Sequence, residues 1–147
     1  VRQEGNNAHT HPFVSVYEAY KKSGPNVLGV EALQGDDGCT GVKVNTADGY
    51  ADYLFTATDM QAHHPSKRVS FCGRLGLIRE KEGQIQLMYL GCGRSLKKGN
   101  FVLESDHDVY AAIYMQHGVW YYSATGPVRV KIGKETKELN EGYNQKL

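Results

Sequence analysis

Histidine and acidic side chains are the first groups to consider, because they bind metals and transfer protons. The chain has six histidines, with His63 and His64 adjacent and His107 between Asp106 and Asp108. Neighbouring residues on a strand point to opposite faces, so adjacent ligands rarely converge on one ion. No spacing matches a zinc-finger or zincin motif. We therefore expect no metal site and interpret these histidines as solvent-exposed loop residues.

Nucleophilic catalysis and carboxylate chemistry have no clear signature either. The segment Gly91-Cys92-Gly93 ends a predicted strand without a helix after it, and the chain has no Gly-x-Ser-x-Gly elbow. Glu18 and Glu31 are not recognisable as an acid/base pair, since a sequence does not fix the separation that glycoside hydrolysis requires. We predict no catalytic residue and no cofactor.

Aromatic side chains are the more suggestive feature. Trp120 and Tyr122 share one face of a predicted strand, and Tyr110 and Tyr114 lie on the strand before it. Aromatic rings with polar groups often form the floor of carbohydrate sites, and they also form cores between sheets. We favour a core position for Trp120. The four residues together are our candidate carbohydrate-binding set.

The element around which the fold is predicted to form is a hairpin over residues 68–93. Its apolar residues alternate on both arms, and a polar loop at residues 81–83 joins them. This loop pairs Leu77 with Leu87 and places the apolar residues of both arms on one face, which we expect to be the core face. The same register places Cys72 opposite Cys92, where we favour two reduced thiols over a strained bridge.

Alternating patterns and turn residues divide the rest of the chain into strands. Tight turns are predicted at Asp48-Gly49 and His117-Gly118, and loops at 60–67 and 95–100. The further strands are predicted at 11–20, 26–33, 39–46, 50–58, 101–105, 109–116, 119–124 and 128–132. About ten strands without helical periodicity predict an all-β, antiparallel β-sandwich. Residues 1–10 are predicted to be a flexible segment. Residues 11–134 are predicted to form the sandwich, and residues 135–147 are predicted to be a polar segment that frays.

Composition sets outer limits on function. The 147 residues suit one domain, and 17 basic against 16 acidic residues give a net charge of +1, which provides no electrostatic footprint for nucleic acid. No apolar run is long enough to cross a membrane, and no signal peptide is recognisable. Because the chain starts at Val1, we interpret it as a processed protein or an excised domain.

Four segments resemble a known family in both character and order. The segments are HPFVSVYEAY (11–20), DGYADYLF (48–55), FCGRLGLIR (71–79) and SLKKGNFVLES (95–105). Together they resemble the C-terminal β-sandwich region of heparinase II/III-like polysaccharide lyases, although Ala19 stands where that family tends to have proline.

The resemblance implies a non-catalytic accessory domain. In that family a preceding α/α toroid and the first part of the sandwich supply the catalytic Tyr and His and often a zinc site. The toroid is missing here and His11 does not fit the metal-binding context, so no catalytic residue can be carried over. The expected partners are a preceding toroid of a parent lyase and an acidic, uronic-acid polysaccharide. The expected location is the periplasm, the cell surface or the exterior.

Two other interpretations stay open. One is a free-standing carbohydrate-binding module that uses the aromatic patch, and the weaker one is a small enzyme with a dispersed site. Whether the parent protein is an enzyme is left undecided. We expect no enzymatic activity from this chain alone.

Overall fold

Eleven strands and no helix make up the part of the chain that the structure describes, residues 15–19, 24–33 and 38–147 of a computed structural model. This confirms the prediction of an all-β fold. The strands are β1 (Val27–Leu33), β2 (Cys39–Thr46), β3 (Tyr50–Ala57), β4 (His63–Ser66), β5 (Val69–Lys81), β6 (Gln84–Lys98), β7 (Phe101–Gln116), β8 (Val119–Ala124), β9 (Val128–Ile132), β10 (Glu135–Leu139) and β11 (Gly142–Lys146). With no helix present, nothing in these residues resembles a membrane-spanning helix.

The strands form one antiparallel sheet that is not closed and that folds over into two layers, as in a sandwich. The long strands β5, β6 and β7 run through both layers. The larger layer contains β1, β2, β3, β8 and β11 together with one half of each long strand. The smaller layer contains β4, β9 and β10 with the other halves.

The bend in the long strands coincides with shifts in their register. Pairing is interrupted between Cys72 and Gly73 on β5 and on both sides of Gly93 on β6. Cys92 has a φ of 47°, in the left-handed region. A β-bulge bends a strand and changes which side chains point inward. Consequently Phe71 points into the core before the bend, and Ile78, of the opposite parity, points into it afterwards.

The core fills the space between the two layers. The ring of Phe71 lies 5.5 Å from that of Phe55, and Phe101 lies 5.8 Å from Trp120, in each case across the sandwich. Burying a large apolar side chain fully contributes about 1.5–3 kcal/mol relative to leaving it exposed. The large residues with no exposed surface are Phe55, Phe71, Ile78, Met88, Leu90, Leu96, Leu103 and Ile113.

The central hairpin exists, but its predicted register is wrong. Glu82 and Gly83 have φ values of 51° and 76°, so they form a two-residue turn, and Lys81 pairs with Gln84. A bulge between Arg79 and Glu80 then shifts the pairing again, and Leu77 pairs with Tyr89 rather than with Leu87.

Because of this register, the predicted core face is only partly correct: Phe71 and Ile85 are buried as predicted, but Leu77 and Leu87 are not part of the core. Ile78 and Met88 are fully buried and face the core, whereas Leu77 and Leu87 are half-buried on the opposite face. Cys72 pairs with Ser95 and not with Cys92, so the two cysteines are not opposed, and neither forms a disulfide.

The predictions for the other segments are partly confirmed. The strands at 26–33, 39–46, 50–58, 119–124 and 128–132 are present, and so are the turns at Asp48-Gly49 and His117-Gly118. Residues 101–105 and 109–116 belong to one strand, β7, because the chain continues without a turn through residues 106–108.

Other predictions for local structure are wrong. The predicted loop at 60–67 contains β4, the predicted turn at 95–100 is strand as far as Lys98, and the predicted fraying segment contains β10 and β11. The described residues 15–19 are not a strand; the rest of the strand predicted at 11–20, the tail at 1–10 and residues 34–37 lie outside the described residues.

Candidate functional site

The aromatic residues lie on the β7–β8 hairpin, whose turn consists of His117 and Gly118. Both turn residues have positive φ, 51° and 77°, as a tight two-residue turn requires. Such a turn pairs each even-numbered residue of β7 with an odd-numbered residue of β8, so that Tyr114 pairs with Tyr121 and Ile113 with Tyr122. The predicted binding set is therefore split between the two faces of the layer.

Trp120 and Tyr122 point into the sandwich. Tyr122 is 8% exposed and belongs to the core. Trp120 is half-buried and packs against the core through Phe101, in line with the preference for a core position. Trp120 also lines a groove of about 260 Å³ at the end of the sandwich, hereafter the Trp120 groove. Its other walls include Val119, Val130, Ile132, Glu135 and Lys137.

Tyr110 and Tyr114 point outward, to the other side of the larger layer. The ring of Tyr114 stacks on that of Tyr121, with centroids 5.9 Å apart and planes 17° from parallel. The hydroxyl of Tyr114 donates to Asn144 Oδ1 at 2.7 Å, and Tyr110 is 54% exposed. The four predicted residues do not form one platform, since two of them are inside and two outside.

A buried histidine was not anticipated from the sequence. His63 is 4% exposed, and its Nε2 lies 2.8 Å from Asp59 Oδ1. The backbone N–H of Gln61 donates to the same carboxylate, and this bond together with His63 lowers the pKa of Asp59. The four-residue spacing of Asp59 and His63 was the available signal, but the short strand β4 that buries the ring was predicted to be a loop.

No metal site is formed by these side chains. His107 is exposed, as predicted, but it lies within a strand, and the neighbouring Asp108 accepts a hydrogen bond from Arg94 at 2.8 Å. Among the described residues no group of three or more His, Cys, Asp and Glu side chains could hold a metal ion.

A larger groove, of about 550 Å³, lies beside the bend and is lined by charged residues. Its arginines are paired: Arg94 with Asp108, and Arg129 with Glu138 at 2.6 Å. These hydrogen bonds raise the pKa of both guanidinium groups. Because each positive charge has an acidic partner, the groove does not provide the surplus of positive charge that would attract a polyanionic glycan.

One lysine is held partly inside the sandwich. Lys98 Nζ lies 3.0 Å from Glu80 and 3.4 Å from the ring centroid of Tyr53. Burial lowers the pKa of Lys98, and the hydrogen bond to Glu80 opposes that effect. Burial, followed by the charge of Glu80, raises the pKa of Tyr53. The cluster therefore links side chains of β3, β5 and β6 at a partly buried position.

Comparisons with known proteins identify a matching family and a similar protein. The family described as the endo-acting ulvan lyase C-terminal domain matches residues 27–115, from the start of β1 almost to the end of β7. A protein of Formosa agariphila named endo-acting ulvan lyase is 33% identical over 112 residues. That alignment covers 72% of this chain but 14% of the relative. No solved structure matches the chain.

The sandwich and these matches define an accessory domain of the kind found at the C-terminal end of a polysaccharide lyase, which confirms the main prediction. The chain belongs to the endo-acting ulvan lyase C-terminal domain family. The matches support a polysaccharide lyase C-terminal domain but not the heparinase II/III-like family in particular.

Proposed function

We propose that this chain is the accessory domain of a secreted lyase that cleaves a uronic-acid polysaccharide of the ulvan class by β-elimination. Catalysis would reside in a preceding part of the same polypeptide. The observation that carries the proposal is the family match, which covers the three long strands that build the sandwich. The name of the Formosa agariphila relative supplies the substrate class.

The arrangement of ionisable groups is consistent with a non-catalytic role. A general base must come within hydrogen-bond reach of the proton that it removes. The His63 ring, which has a carboxylate partner, is buried, and the exposed pairs Arg94–Asp108 and Arg129–Glu138 already satisfy each other.

We expect the 147-residue chain to fold and to show no lyase activity on ulvan, heparan sulfate, hyaluronan or alginate. The measurement is the ultraviolet absorbance of the unsaturated uronate that β-elimination produces. The full-length protein from the same gene serves as the positive control. Absorbance that appears with the pure chain and disappears in His63→Gln or another point variant of this chain would contradict the proposal.

The architecture of the preceding part is a finer proposal. The resemblance noted in the sequence implies an α/α toroid, and the relative is long enough to contain a large domain outside the matched segment. Reading the upstream part of the gene tests this directly, because a toroid would appear as several hundred residues of helical periodicity. An export signal there would support secretion.

A second candidate function is glycan contact in the Trp120 groove. An aromatic wall flanked by Glu135 and Lys137 combines a stacking surface with hydrogen-bonding groups, as sugar sites do. Trp120 is the only tryptophan of the chain, so its fluorescence reports on this groove alone. An emission shift on titration with ulvan oligosaccharide, reduced in Lys137→Ala, would support binding, and an unchanged emission would exclude it.

The packing of Trp120 against the core leads to a separate prediction about stability. We expect Trp120→Ala to lower the free energy of unfolding by about 2 kcal/mol, below the range for fully buried aromatics, because the ring is half-buried against Phe101. Thermal or urea unfolding followed by circular dichroism measures the change. Tyr110→Ala, at an exposed position, is the control and should cost no more than about 0.5 kcal/mol. A loss of oligosaccharide binding by Trp120→Ala with unchanged stability would contradict the packing role.

A further inference from the structure

The larger layer has an apolar face on its outer side as well as on its inner side. Paired residues of an antiparallel sheet point to the same side, so the register defines continuous rows across the strands. We call the side away from the core the outer face. One row across it, from β1 to β7, is Ala32, Val42, Leu54, Leu77, Tyr89 and Ala112.

This pattern is unusual for a layer with one side in water. Such antiparallel layers alternate apolar inward residues with polar outward residues. Here the outer face leaves large apolar side chains open, with Leu54 36%, Leu75 40% and Val30 48% exposed. Contiguous exposed apolar surface marks an interaction site. These exposed side chains make the outer face a candidate interaction surface.

The few charges on the outer face do not prevent burial. In the adjacent row, Arg79 donates two hydrogen bonds to Asp52, both at 2.7 Å. The hydrogen bonds to Asp52 raise the pKa of Arg79. A bidentate pair that satisfies its own groups loses less on desolvation than an isolated charge would.

The N-terminal segment reaches the domain across this same face. Residues 15–17 line a groove of about 420 Å³ together with Val42, Val44, Leu54 and Leu75. The carboxylate of Glu18 accepts hydrogen bonds from the backbone N–H groups of Asn26 and Val27, at 2.7 and 3.0 Å, which fixes this segment at the start of β1. Residues 15–17 are therefore held beside the exposed leucines.

We propose that the outer face binds the preceding domain of the same polypeptide, an inference that rests on the proposed function. The matched segment is 14% of the Formosa agariphila relative, so most of that protein lies outside it. A covalently attached preceding domain meets the outer face at high effective concentration, because residues 15–17 already lie on it. The exposed aliphatic side chains suit a protein surface better than a glycan, which needs hydrogen-bonding groups.

Side-chain accessibility in the full-length protein tests this assignment. Hydroxyl-radical footprinting of the 147-residue chain and of the full-length protein compares oxidation of Leu54, Leu75 and Tyr89 in the two. We expect a severalfold lower oxidation rate for these residues in the full-length protein. His107, exposed and away from the outer face, is the control and should react equally in both. Equal rates for the leucines would overturn the proposal.

Charged substitutions on the outer face provide a second test of the proposal. The double substitution Leu54→Arg with Leu75→Arg should leave the melting temperature of the isolated chain nearly unchanged, since both side chains are partly exposed, and should lower that of the full-length protein. Thr136→Arg adds a charge to an exposed position of β10, in the smaller layer, and should change neither protein. An unaltered full-length protein carrying both arginines would contradict the docking.

The remaining outcomes separate this inference from the proposed function. A gene without a preceding lyase domain would overturn both. A full-length lyase whose leucines stay reactive would overturn the docking and leave the accessory role intact. A full-length lyase in which the outer face is protected only in a dimer, and exposed once the two arginines make it monomeric, would assign the face to a second copy and overturn the proposal.

Discussion

Phe71→Ala is expected to lower the free energy of unfolding by about 3–5 kcal/mol. Phe71 has no exposed surface, pairs with Leu96 on β6 and contacts the ring of Phe55 across the sandwich at 5.5 Å. It lies just before the bend of β5, where little else could fill the space that the ring leaves. Urea unfolding followed by circular dichroism, with Trp120 fluorescence as a second probe, measures the loss.

The control is a leucine of the same strand on the outer face. Leu75 is 40% exposed, and Leu75→Ala in the isolated chain should cost within about 1 kcal/mol. Leu77→Ala and Leu87→Ala, at positions that the sequence assigned to the core face, should also cost much less than Phe71→Ala, because both residues lie on the outer face. A larger loss for Leu75→Ala than for Phe71→Ala would mean that the assignment of the two faces is wrong.

The sequence was sufficient where local turn chemistry determines structure. Gly49 in Asp48-Gly49, and His117 with Gly118, adopt the left-handed backbone that tight hairpin turns need, and the strands on either side were located correctly. The alternation rule also held within the central hairpin, where Leu77 and Tyr89 share one face as predicted. Such rules depend on residues close in the chain, which a sequence displays directly.

Which face is the core could not be predicted in the same way. Where a layer is apolar on both sides, the alternation of apolar and polar residues does not show which side faces the core. In addition, the inward-facing residues of β5 change from odd-numbered, as Phe71, to even-numbered, as Ile78, at the bend. The bulges beside Gly73 and Gly93 depend on pairing between residues that lie far apart in the chain. The prediction therefore assigned Leu77 to the core and left Ile78 out.

The split of the candidate binding site was, by contrast, already implied by the sequence. Once His117-Gly118 is accepted as a two-residue turn, even-numbered residues of β7 must pair with odd-numbered residues of β8. Tyr110 and Tyr114 then cannot share a face with Trp120 and Tyr122. What the sequence could not supply was the groove beside Trp120, because β10, which contributes Glu135 and Lys137, was predicted to be part of a fraying segment.

Gly93→Ala is expected to lower the free energy of unfolding by about 3 kcal/mol, at the upper end of the cost of overpacking, or to prevent folding. A Cβ atom at this position would lie 2.6 Å from the carbonyl oxygen of Cys72 and 2.7 Å from the Cα of Gly73. Both are backbone atoms at the point where β5 and β6 bend together, so relief requires the two paired strands to separate locally.

Gly29→Ala is the matched control for the same chemical change in a strand. The nearest atom to a Cβ at Gly29 is 4.0 Å away, on Asn45, and no strained backbone angle is involved. It should be neutral or stabilise by about 0.5 kcal/mol, since alanine reduces the freedom of the unfolded chain. Comparing urea midpoints of the two variants tests whether close approach at residue 93 holds the bend. Equal midpoints would show that β5 and β6 can separate at residue 93 without loss of stability. The bend would then have to be attributed to the bulges alone.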